Sequence, residues 1–566
     1  MNAPPRNESF NRVRSVAASV ERHARERPHD VAFRLRGRHA SQTREIDWRT
    51  LDDRARRIAG ALEEHGVAGQ PVAIICPSPL DFVASLCGCL YAGAVVVPVP
   101  AVATRRAAER IRSTIETARP QAILAPADVL AQPWIAELLN PDVRGVALEA
   151  ALDHVPIGNR RPIEASDDAL MQFTSGSTGT PRGVVLTQAN LAANCAAIVE
   201  TYGLSAATRG FSWLPLHHDM GLVGHILTPL WIGCRSTLMD PLLFLQSPLR
   251  WLRLATEERA TITSAPNFAF ALCVRAAETE SLDDIDLSSV TAAVCGGESV
   301  WPEIMTRFCD IFARADFDPA AFAPSYGLAE ATLLVSSGRR QGGPRVFNGP
   351  VVEAVGNDES EVATVDLGAP VRGVSIRIVD QAGQPCGERV LGEIEISGPC
   401  VGRLVSADAD SNRTDAVMTG DLGFVADGAL HITGRRKELI ILRGQNVYPA
   451  DIESAAERAD PAIHAGAVAA VATPSGGTEE MLVVFEAESG ALESEGFAAI
   501  CRNVNQGVTR ATGYTPGIVA AVRRGALPRT TSGKIKRRLV ARLFRDGELR
   551  PLAIKGASAG LEAEPS

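Results

Sequence analysis

The stretch FTSGSTGTPRGV, residues 173–184, combines small hydroxyl side chains and glycines with one proline and one arginine. Apolar residues flank it, which predicts a strand ending near 171–173, a tight polar loop, and a second strand or a helix beginning at 184–186. Such a loop offers backbone N–H groups and hydroxyls to phosphate oxygens. No Gly-Lys-Ser/Thr follows, which disfavours an ordinary P-loop ATPase. Taken alone, the stretch can equally be an ordinary polar loop.

Four further stretches contain charged or aromatic residues that a nucleotide could use. Each is a weak signal alone, because an Asp after a Gly is often part of a turn and a single Glu usually lies at the surface. In chain order they are SYGLAEAT (325–332), TGDLG (419–423), GRRKELIILRGQNVYPADIE (434–453) and LPRTTSGKIKR (527–537). The four stretches become informative because they occur together in one chain.

The order and spacing of these five motifs resemble the adenylate-forming superfamily, which comprises acyl-CoA synthetases, luciferases and nonribosomal peptide adenylation domains. The stretches SWLPLHHDMGLVG, SAPNFAFALC and GQNVYPADIE look most like fatty acyl-AMP ligases, and the likeness runs from about Ser15 to Leu549. The resemblance implies an enzyme that uses ATP and Mg²⁺. Such an enzyme activates a fatty or other apolar carboxylic acid as acyl-AMP and releases pyrophosphate.

The resemblance implies how the triphosphate is held. The glycine-rich loop wraps the β- and γ-phosphates, Glu330 holds the Mg²⁺ that bridges phosphate oxygens, and Thr332 makes another phosphate contact. The family usually has lysine where this chain has Arg182. A guanidinium can still grip phosphate through two N–H groups, and the alternative is a solvated arginine. The loop residues implied at the nucleotide are Thr174, Ser175, Gly176, Ser177, Thr178 and Gly179.

The resemblance also implies contacts to the nucleoside. Tyr326 stacks on the adenine, the Asp421 carboxylate accepts both ribose hydroxyls, and Arg435 contacts ribose or phosphate. The segment CGGESV (295–300) runs beside the base, although the family more often has proline where Ser299 stands. The other residues implied at the nucleotide are Gly296, Gly297, Glu298, Ser325 and Gly327.

The implied chemistry depends most on Lys534. The resemblance places it on a mobile loop that enters the active site, where its ammonium stabilises the negative charge of the transition state between carboxylate and α-phosphate. The alternative is that Lys534 and residues 536–538 form a solvated basic helix face. Lys437 falls at the hinge about which the C-terminal domain of this family rotates between the two half-reactions.

The stretch WLPLHHDMG (213–221) is interpreted as a wall of the acyl pocket, with His218 near the substrate carboxylate. A general-base motif of the acyltransferase type would place the Asp several residues after the second His, whereas Asp219 is adjacent to it. A structural histidine is the alternative for His218. The acyl-pocket candidates are Trp213, Met220, Asn267 and Phe268. Apolar residues such as these are usually just core.

The expected acceptor of the acyl group is the phosphopantetheine thiol of an acyl carrier protein, with coenzyme A as the alternative. In the family an extra segment after YGLAEAT is associated with poor use of coenzyme A. Here that segment (339–366) is shorter than expected, and 404–418 also departs from the family. Carrier proteins are acidic, so Arg538 and Arg542 in KIKRRLVARLFR are candidates for docking. A non-catalytic nucleotide-binding scaffold is the alternative from another class.

Positioning these residues requires a large framework. Helical patterns alternate with short β-rich runs, as in TLDDRARRIAGALEEHG followed by PVAIIC, which predicts a parallel sheet with covering helices. From about Gly368 short alternating runs predict a small antiparallel barrel or sheet, and another α+β module follows Gly434. We expect an α/β fold with a large N-terminal domain (1–434) of mixed α/β subdomains plus a small β-barrel-like subdomain. A smaller, mobile α+β C-terminal domain (435–566) follows.

The composition fits a folded enzyme and disfavours other classes. The chain has 566 residues, of which 46% are hydrophobic and 22% charged; a single core stops growing at about 250–300 residues. A net charge of −9 argues against nucleic-acid binding. The 11 cysteines lack C-x-x-C spacing and no signal peptide precedes them, so reduced thiols in the cytoplasm are expected. The most apolar window, 83–97, is too short to span a bilayer.

Overall fold

The computed structural model describes residues 15–101, 105–174, 182–353, 359–405, 416–442, 445–475, 478–488, 492, 494–530 and 533–556. Short strands follow one another throughout this part of the chain. In chain order they are β1 (Val31–Arg36), β2 (Arg44–Asp47), β3 (Pro71–Ile74), β4 (Val95–Pro98), β5 (Ala122–Ala125), β6 (Arg144–Ala147), β7 (Asp168–Thr174), β8 (Arg182–Thr187), β9 (Arg209–Ser212), β10 (Arg235–Met239), β11 (Ile262–Ala265), β12 (Ala292–Cys295), β13 (Phe322–Gly327), β14 (Leu334–Ser337), β15 (Val346–Glu353), β16 (Glu359–Val365), β17 (Ser375–Val379), β18 (Val390–Ser397), β19 (Arg403–Val405), β20 (Ala416–Ala426), β21 (Ala429–Arg435), β22 (Ile440–Leu442), β23 (Gln445–Val447), β24 (Val468–Ser475), β25 (Thr478–Glu486), β26 (Ile518–Val522) and β27 (Ala553–Lys555).

Helices lie in many of the connections between these strands. They are α1 (Val16–Glu26), α2 (Trp48–Glu63), α3 (Pro79–Tyr91), α4 (Arg105–Ala118), α5 (Ala127–Leu130), α6 (Pro133–Ala136), α7 (Leu148–Asp153), α8 (Gln188–Tyr202), α9 (Thr228–Ile232), α10 (Pro241–Gln246), α11 (Leu249–Glu257), α12 (Asn267–Ala276), α13 (Pro302–Phe312), α14 (Pro449–Ala459), α15 (Ser494–Thr512) and α16 (Arg537–Arg545). A π-helix, Met220–Leu227, precedes α9. Local chemistry sets their ends: α8 begins at a capping box of Thr187 and Asn190 and ends at Gly203 with φ +64°.

One sheet has seven strands in the order β19-β8-β7-β4-β3-β5-β6. The strands β7, β4, β3, β5 and β6 pair in parallel, as the alternation of helix and strand predicts. Both faces are covered: Val72 and Ile74 pack in the core cluster that contains α2 and α3 residues, whereas Ala73 and Ile75 pack in the cluster that contains α4 residues.

A second sheet has eight strands in the order β14-β13-β12-β11-β9-β10-β1-β2. Its six inner strands run parallel, and the two edge strands are antiparallel to their neighbours. In sheets of this kind ligands bind beyond the carboxyl ends of the strands. Of the segments predicted to contact the nucleotide, 296–298 follows the end of β12, and 325–332 begins in the last residues of β13.

The third sheet has the order β16-β15-β18-β20-β21, with β17 paired to β18. It is largely antiparallel, as the sequence predicts, although β15 and β18 run parallel and the sheet begins at Val346, before Gly368. The segment 339–366, expected to be shortened, contains the hairpin β15–β16. Of segment 404–418, residues 406–415 lie outside the described part.

Residues 440–556, here called the C-terminal module, pack around a four-stranded sheet, β24-β25-β26-β27. Its two core clusters contain residues of this module alone and lie on opposite faces of the sheet: Val468 and Ala470 in one, Ala469 and Val471 in the other. The boundary at 434/435 stays a prediction. Among the described helices, none combines the length and apolar character needed to cross a membrane.

Candidate active site

The strands on both sides of the predicted phosphate loop are present. β7 ends at Thr174 and β8 begins at Arg182, and these two residues are paired across the hairpin. Arg182 is exposed. The predicted contacts Ser175, Gly176, Ser177, Thr178 and Gly179 lie outside the described residues. Their roles and that of Thr174 stay predictions.

Tyr326, Asp421 and Arg435 come together at one corner of the site. The Tyr326 hydroxyl donates to Asp421 Oδ2 at 2.6 Å, and Arg435 Nε donates to Asp421 Oδ1 at 2.8 Å. Asp421 and Arg435 are cross-strand partners in β20 and β21, whereas Tyr326 comes from β13 in the eight-stranded sheet. Burial, followed by the Asp421 charge, raises the pKa of Tyr326. The buried Asp421 carboxylate therefore joins two sheets at the predicted nucleoside site.

Two glycines follow β12 where only glycine fits. A Cβ atom at Gly296 would lie 2.7 Å from the carbonyl oxygen of Ser325. Gly297 has φ +79°, and a Cβ atom there would lie 3.0 Å from Met220 Sδ and 3.5 Å from Lys534 Nζ. The Lys534 ammonium thus lies within van der Waals range of this turn, where φ +79° and the nearby Met220 thioether favour glycine.

Lys534 is carried to this turn by a short loop before α16. The backbone N–H of Lys534 donates to the Thr530 hydroxyl at 3.0 Å. The backbone N–H of Thr530 donates to the Lys534 carbonyl at 2.7 Å. Burial lowers the pKa of Lys534, and the charges of Asp219 and Glu298 oppose that effect. Lys534 therefore sits partly buried among carboxylates rather than on a solvated face.

The loop of Lys534 is anchored by Arg537. Its guanidinium forms a bidentate pair with Glu453, with both N–O distances at 2.7 Å, and donates to Glu438 at 2.5 Å. These contacts raise the pKa of Arg537 against the effect of burial. Arg537 thus fixes the start of α16, three residues after the lysine.

Asp219 and His218 form a close pair at the start of the π-helix. His218 Nδ1 lies 2.6 Å from Asp219 Oδ1, which also accepts from the Met220 N–H at 2.7 Å. Burial pushes the pKa of Asp219 upward, but His218 and Lys534 outweigh it and the pKa is lowered. Burial, with the nearby His218, lowers the pKa of His217 to about 4. A negative charge is therefore maintained beside the lysine.

Glu298, which follows β12, and Glu330, which follows β13, are half-buried acids. Glu298 Oε1 accepts from the Phe268 N–H at 2.7 Å, and burial raises its pKa. Burial also raises the pKa of Glu330. Thr332, with φ +67° and a fully buried side chain, donates its hydroxyl to the Cys400 carbonyl at 2.7 Å. Its predicted phosphate contact stays a prediction.

A cavity of about 50 Å³ lies between the π-helix and the eight-stranded sheet, beside Gly297. Of the four acyl-pocket candidates, Met220 lines it. Trp213 instead stacks on Phe244, with ring centroids 3.9 Å apart, in the aromatic core. Asn267 Oδ1 accepts from the backbone N–H of Trp301 at 3.1 Å. Gly296, Ser325, Tyr326, Gly327 and Asp219 also line the cavity.

Comparison with known proteins bears on this arrangement. A model of the AMP-binding enzyme family matches residues 20–404, more than half of the chain. The chain belongs to the AMP-binding enzyme family.

This AMP-binding enzyme is similar to fatty-acid ligases over most of its length. It is 32% identical over 536 residues to the medium-chain-fatty-acid–[acyl-carrier-protein] ligase JamA of Moorena producens, covering 89% of this chain and 90% of that protein. It is 30% identical over 551 residues to the long-chain-fatty-acid–AMP ligase FadD23 of Mycobacterium tuberculosis, covering 91% and 93%. A structure from a study of fatty acyl-adenylate ligases of E. coli and L. pneumophila superposes with a TM-score of 0.84 at 28% identity, covering 96% of this chain and 99% of that one. The resemblance to adenylate-forming ligases and the two-part α/β fold are confirmed.

In this AMP-binding enzyme the C-terminal module contacts the N-terminal part around Phe268. A Cβ atom at Gly533 would lie 2.8 Å from Phe268 Cζ, and one at Gly466 would lie 3.3 Å from Phe268 Cβ. Arg275 donates to the carbonyls of Ile463 and Pro461 at 3.2 and 3.1 Å. Phe268, a predicted pocket residue, thus packs at the contact that holds Lys534 in place.

Lys437 lies in a 3₁₀ turn, Arg436–Glu438, directly after β21. This turn connects the third sheet to the C-terminal module. The hinge role of Lys437 stays a prediction.

Sequence reasoning did not single out Asp219 or Gln172 as site residues. Gln172 lies in β7, two residues before Thr174, and is 3% exposed. Its side-chain oxygen has no hydrogen-bond partner among the described residues. The sequence offers one signal for each residue. Gln172 lies two residues before the glycine-rich loop, and Asp219 is adjacent to His218.

Proposed function

We propose that this enzyme uses ATP and Mg²⁺ to convert a fatty or other apolar carboxylic acid to acyl-AMP with release of pyrophosphate. It then transfers the acyl group to the phosphopantetheine thiol of an acyl carrier protein. The observation that carries the proposal is the position of Lys534 Nζ over Gly297, beside a cavity that Tyr326 also lines. A cation there faces the region between a carboxylate in the cavity and a nucleotide at Asp421.

The charges around Lys534 suit attack of one anion on another. The substrate carboxylate and the α-phosphate repel each other, and negative charge builds up on the phosphate oxygens as the bond forms. The Lys534 ammonium stabilises this charge, while the charges of Asp219 and Glu298 oppose the effect of burial, which lowers the pKa of Lys534. Asp421 and Arg435 orient the ribose, and Arg182 with the glycine-rich loop holds the leaving pyrophosphate.

The residues present fit Mg²⁺ at Glu330. Its half-buried carboxylate has a raised pKa because of burial, and the charges of Asp219 and Asp421 raise it further. A divalent cation would stabilise an ionised carboxylate in that position. Mg²⁺ commonly binds through one or two carboxylates together with substrate phosphates and water. When bound, it would neutralise phosphate charge.

A carrier protein is the proposed acceptor because JamA, which is named for that acceptor, is similar over most of both chains. The segment 339–366, which contains the hairpin β15–β16, is shorter than the extra segment of fatty acyl-AMP ligases, and this weakens the preference for a carrier protein over coenzyme A. Coenzyme A is the competing acceptor. The presence of Glu330, Asp421, Arg435 and Lys534 argues against a non-catalytic scaffold.

One experiment tests these functions together. The purified chain is incubated with ATP, Mg²⁺ and straight-chain acids of increasing length, and pyrophosphate release is followed. Coenzyme A or phosphopantetheinylated carrier protein is then added, and thioester is measured by mass spectrometry. Thioester on the carrier protein supports the proposal, and thioester on coenzyme A alone transfers the assignment to an acyl-CoA ligase. If no acid gives pyrophosphate, the remaining assignment is a non-catalytic nucleotide-binding scaffold.

A further inference from the structure

The floor of the cavity beside Gly297 is built from alternate residues of neighbouring parallel strands. β11 contributes Ile262 and Ser264, β12 contributes Val294, and Gly296 follows the end of β12. Ser264 and Val294 are partners in the sheet register. Residues two apart on a strand face the same side. The lining residues therefore run along the strands from Gly296, one residue before the turn that the Lys534 ammonium approaches, past Ser264 to Ile262.

Ser264 places a hydroxyl group in a wall that is otherwise largely aliphatic at this depth. Its Oγ lies 2.7 Å from Nε2 of His225, a residue of the π-helix that covers the floor. The exposed fractions are 7% for Ser264 and 1% for His225. Burial lowers the pKa of His225 to about 4, so the imidazole is neutral near pH 7. Whichever of the two donates, the serine hydroxyl retains hydrogen-bonding capacity, because it has one O–H and two lone pairs.

The other serine that lines the cavity is already saturated. Ser325 Oγ lies 2.8 Å from the Tyr202 hydroxyl and 3.0 Å from Ser337 Oγ, and it donates to the Ala323 carbonyl at 3.0 Å. Within the described part of the chain, His225 is the hydrogen-bond partner of the Ser264 side chain. A polar group on a bound chain can therefore be satisfied at Ser264 and not at Ser325.

We infer that Ser264 is a specificity-determining residue whose hydroxyl binds a hydroxyl or oxo group on the acyl chain, so that the preferred acid is a hydroxy- or oxo-fatty acid. The inference rests on the proposed adenylation of an apolar acid and names its substrate class. An unsubstituted chain gains nothing from the Ser264–His225 pair, and it would pack equally well on an aliphatic residue. A site built to hydrogen-bond a substrate group discriminates against the analogue that lacks it.

The sheet register sets the position of that group. Ser264 lies level with Val294, two residues before Gly296. Two residues of strand span about 6.6 Å, and an extended chain advances about 1.2 Å per bond, so Ser264 lies about five bonds from a carboxyl group at Gly296. In an eight-carbon acid this corresponds to carbon 6.

A matched series of acids tests the inference on the wild-type enzyme. Pyrophosphate release is measured with octanoic, 3-hydroxyoctanoic, 6-hydroxyoctanoic and 6-oxooctanoic acids. We expect kcat/KM for the two 6-substituted acids to exceed that for the other two by about three- to tenfold, the value of one neutral hydrogen bond. Equal kcat/KM across the series would overturn the inference and leave adenylation itself intact. Failure of all four acids, and of shorter and longer ones, would overturn the proposed function instead.

Two variants of the same strand assign the preference to the hydroxyl. Ser264→Ala should make kcat/KM for 6-hydroxyoctanoic acid equal to that for octanoic acid. The matched control is Thr263→Val, which removes a hydroxyl from the opposite face, where Thr263 accepts from Trp251 Nε1 at 2.8 Å; it should keep the preference. A preference that survives in Ser264→Ala would refute the role of Ser264. If that variant does not fold, the wild-type series alone decides.

Discussion

The ammonium of Lys534 lies directly over the turn at Gly297, so close that a Cβ atom on the glycine would stand 3.5 Å from the nitrogen. Lys534 belongs to the C-terminal module and Gly297 follows β12 of the N-terminal part. The Phe268 contact joins the two parts, and the Arg537–Glu453 pair fixes the start of α16 within the C-terminal module. This arrangement is the one that the proposed adenylation requires.

Replacing the lysine tests the chemistry itself. Lys534→Ala should reduce acyl-AMP formation by about 10²- to 10³-fold, because one preorganised donor to the transition state is lost. ATP binding should persist, since Asp421, Tyr326 and Arg435 remain. Pyrophosphate release and ATP calorimetry measure the two effects. The control is Lys555→Ala, at an exposed lysine of β27. Normal acyl-AMP formation by Lys534→Ala would remove the lysine from the mechanism.

The glycine under that lysine provides a second test. Gly297→Ala adds a methyl group close to Met220 Sδ and the Lys534 ammonium, at φ +79°. Gly428→Ala is a matched control, since Gly428 has φ +75° and no atom within 4 Å of the added Cβ. Both should lower the free energy of unfolding by about 1–2 kcal/mol through backbone strain. Only Gly297→Ala should also slow adenylation, by about tenfold or more, because Met220 Sδ would lie 3.0 Å from the added Cβ and must shift beside the Lys534 ammonium. Equal adenylation rates in the two variants would show that the packing at this turn does not affect the reaction.

Asp421 is expected to act in nucleotide binding. Asp421→Asn removes the charge that accepts hydrogen bonds from Tyr326 and Arg435, and it should weaken ATP binding by about 10- to 100-fold, the range for hydrogen bonds to charged groups. Isothermal calorimetry measures this directly. Asp427→Asn, at an aspartate whose side chain is 83% exposed on the same hairpin, is the control and should bind ATP normally. Unchanged ATP affinity in Asp421→Asn would place the ribose elsewhere.

The sequence predicts much of the fold, but it does not predict which side chains from distant segments lie close together. Local periodicity predicts the parallel strands and the strand ends at the glycine-rich loop, because spacing along one segment determines them. The Asp219–Lys534 proximity and the Ser264–His225 pair depend on segments far apart in the chain, and no local pattern encodes that distance. The π-helix that carries His225 departs from the 3.6-residue period. Trp213 has the large apolar side chain expected of an acyl-pocket residue, yet its packing against Phe244 determines where it lies.

Glu457 gives the enzyme a pH-dependent stability. Its carboxylate accepts from the Gly466 N–H at 2.8 Å near the Phe268 contact, and burial raises its pKa from 4.5 to about 7. Between those two values the folded chain binds a proton that the unfolded chain releases, so the free energy of unfolding falls as the pH rises and levels off above about pH 7.

Glu457→Gln mimics the protonated form and should remove the contribution of Glu457 to that slope, with a gain of about 1–3 kcal/mol at pH 8 relative to the wild type. Urea unfolding between pH 5 and pH 8 measures it. Glu63→Gln, at an exposed position of α2, should retain the wild-type slope. Identical slopes in the wild type and Glu457→Gln would show that this carboxylate does not titrate in that range.

The proposed carrier-protein acceptor makes a prediction about the surface of α16. Arg538 and Arg542 are exposed, lie one turn apart and therefore share a face of the helix that begins three residues after Lys534. An acidic carrier would be steered to this face, so Arg538→Glu/Arg542→Glu should slow acyl transfer about tenfold at low salt and less at high salt, while pyrophosphate release stays normal. The charge-matched control Arg25→Glu/Arg49→Glu alters two exposed arginines near the N-terminus and should leave transfer unchanged. Because adenylation and transfer are measured separately, an unchanged transfer rate in the α16 variant would exclude this face as the docking surface without weakening the assignment of Lys534.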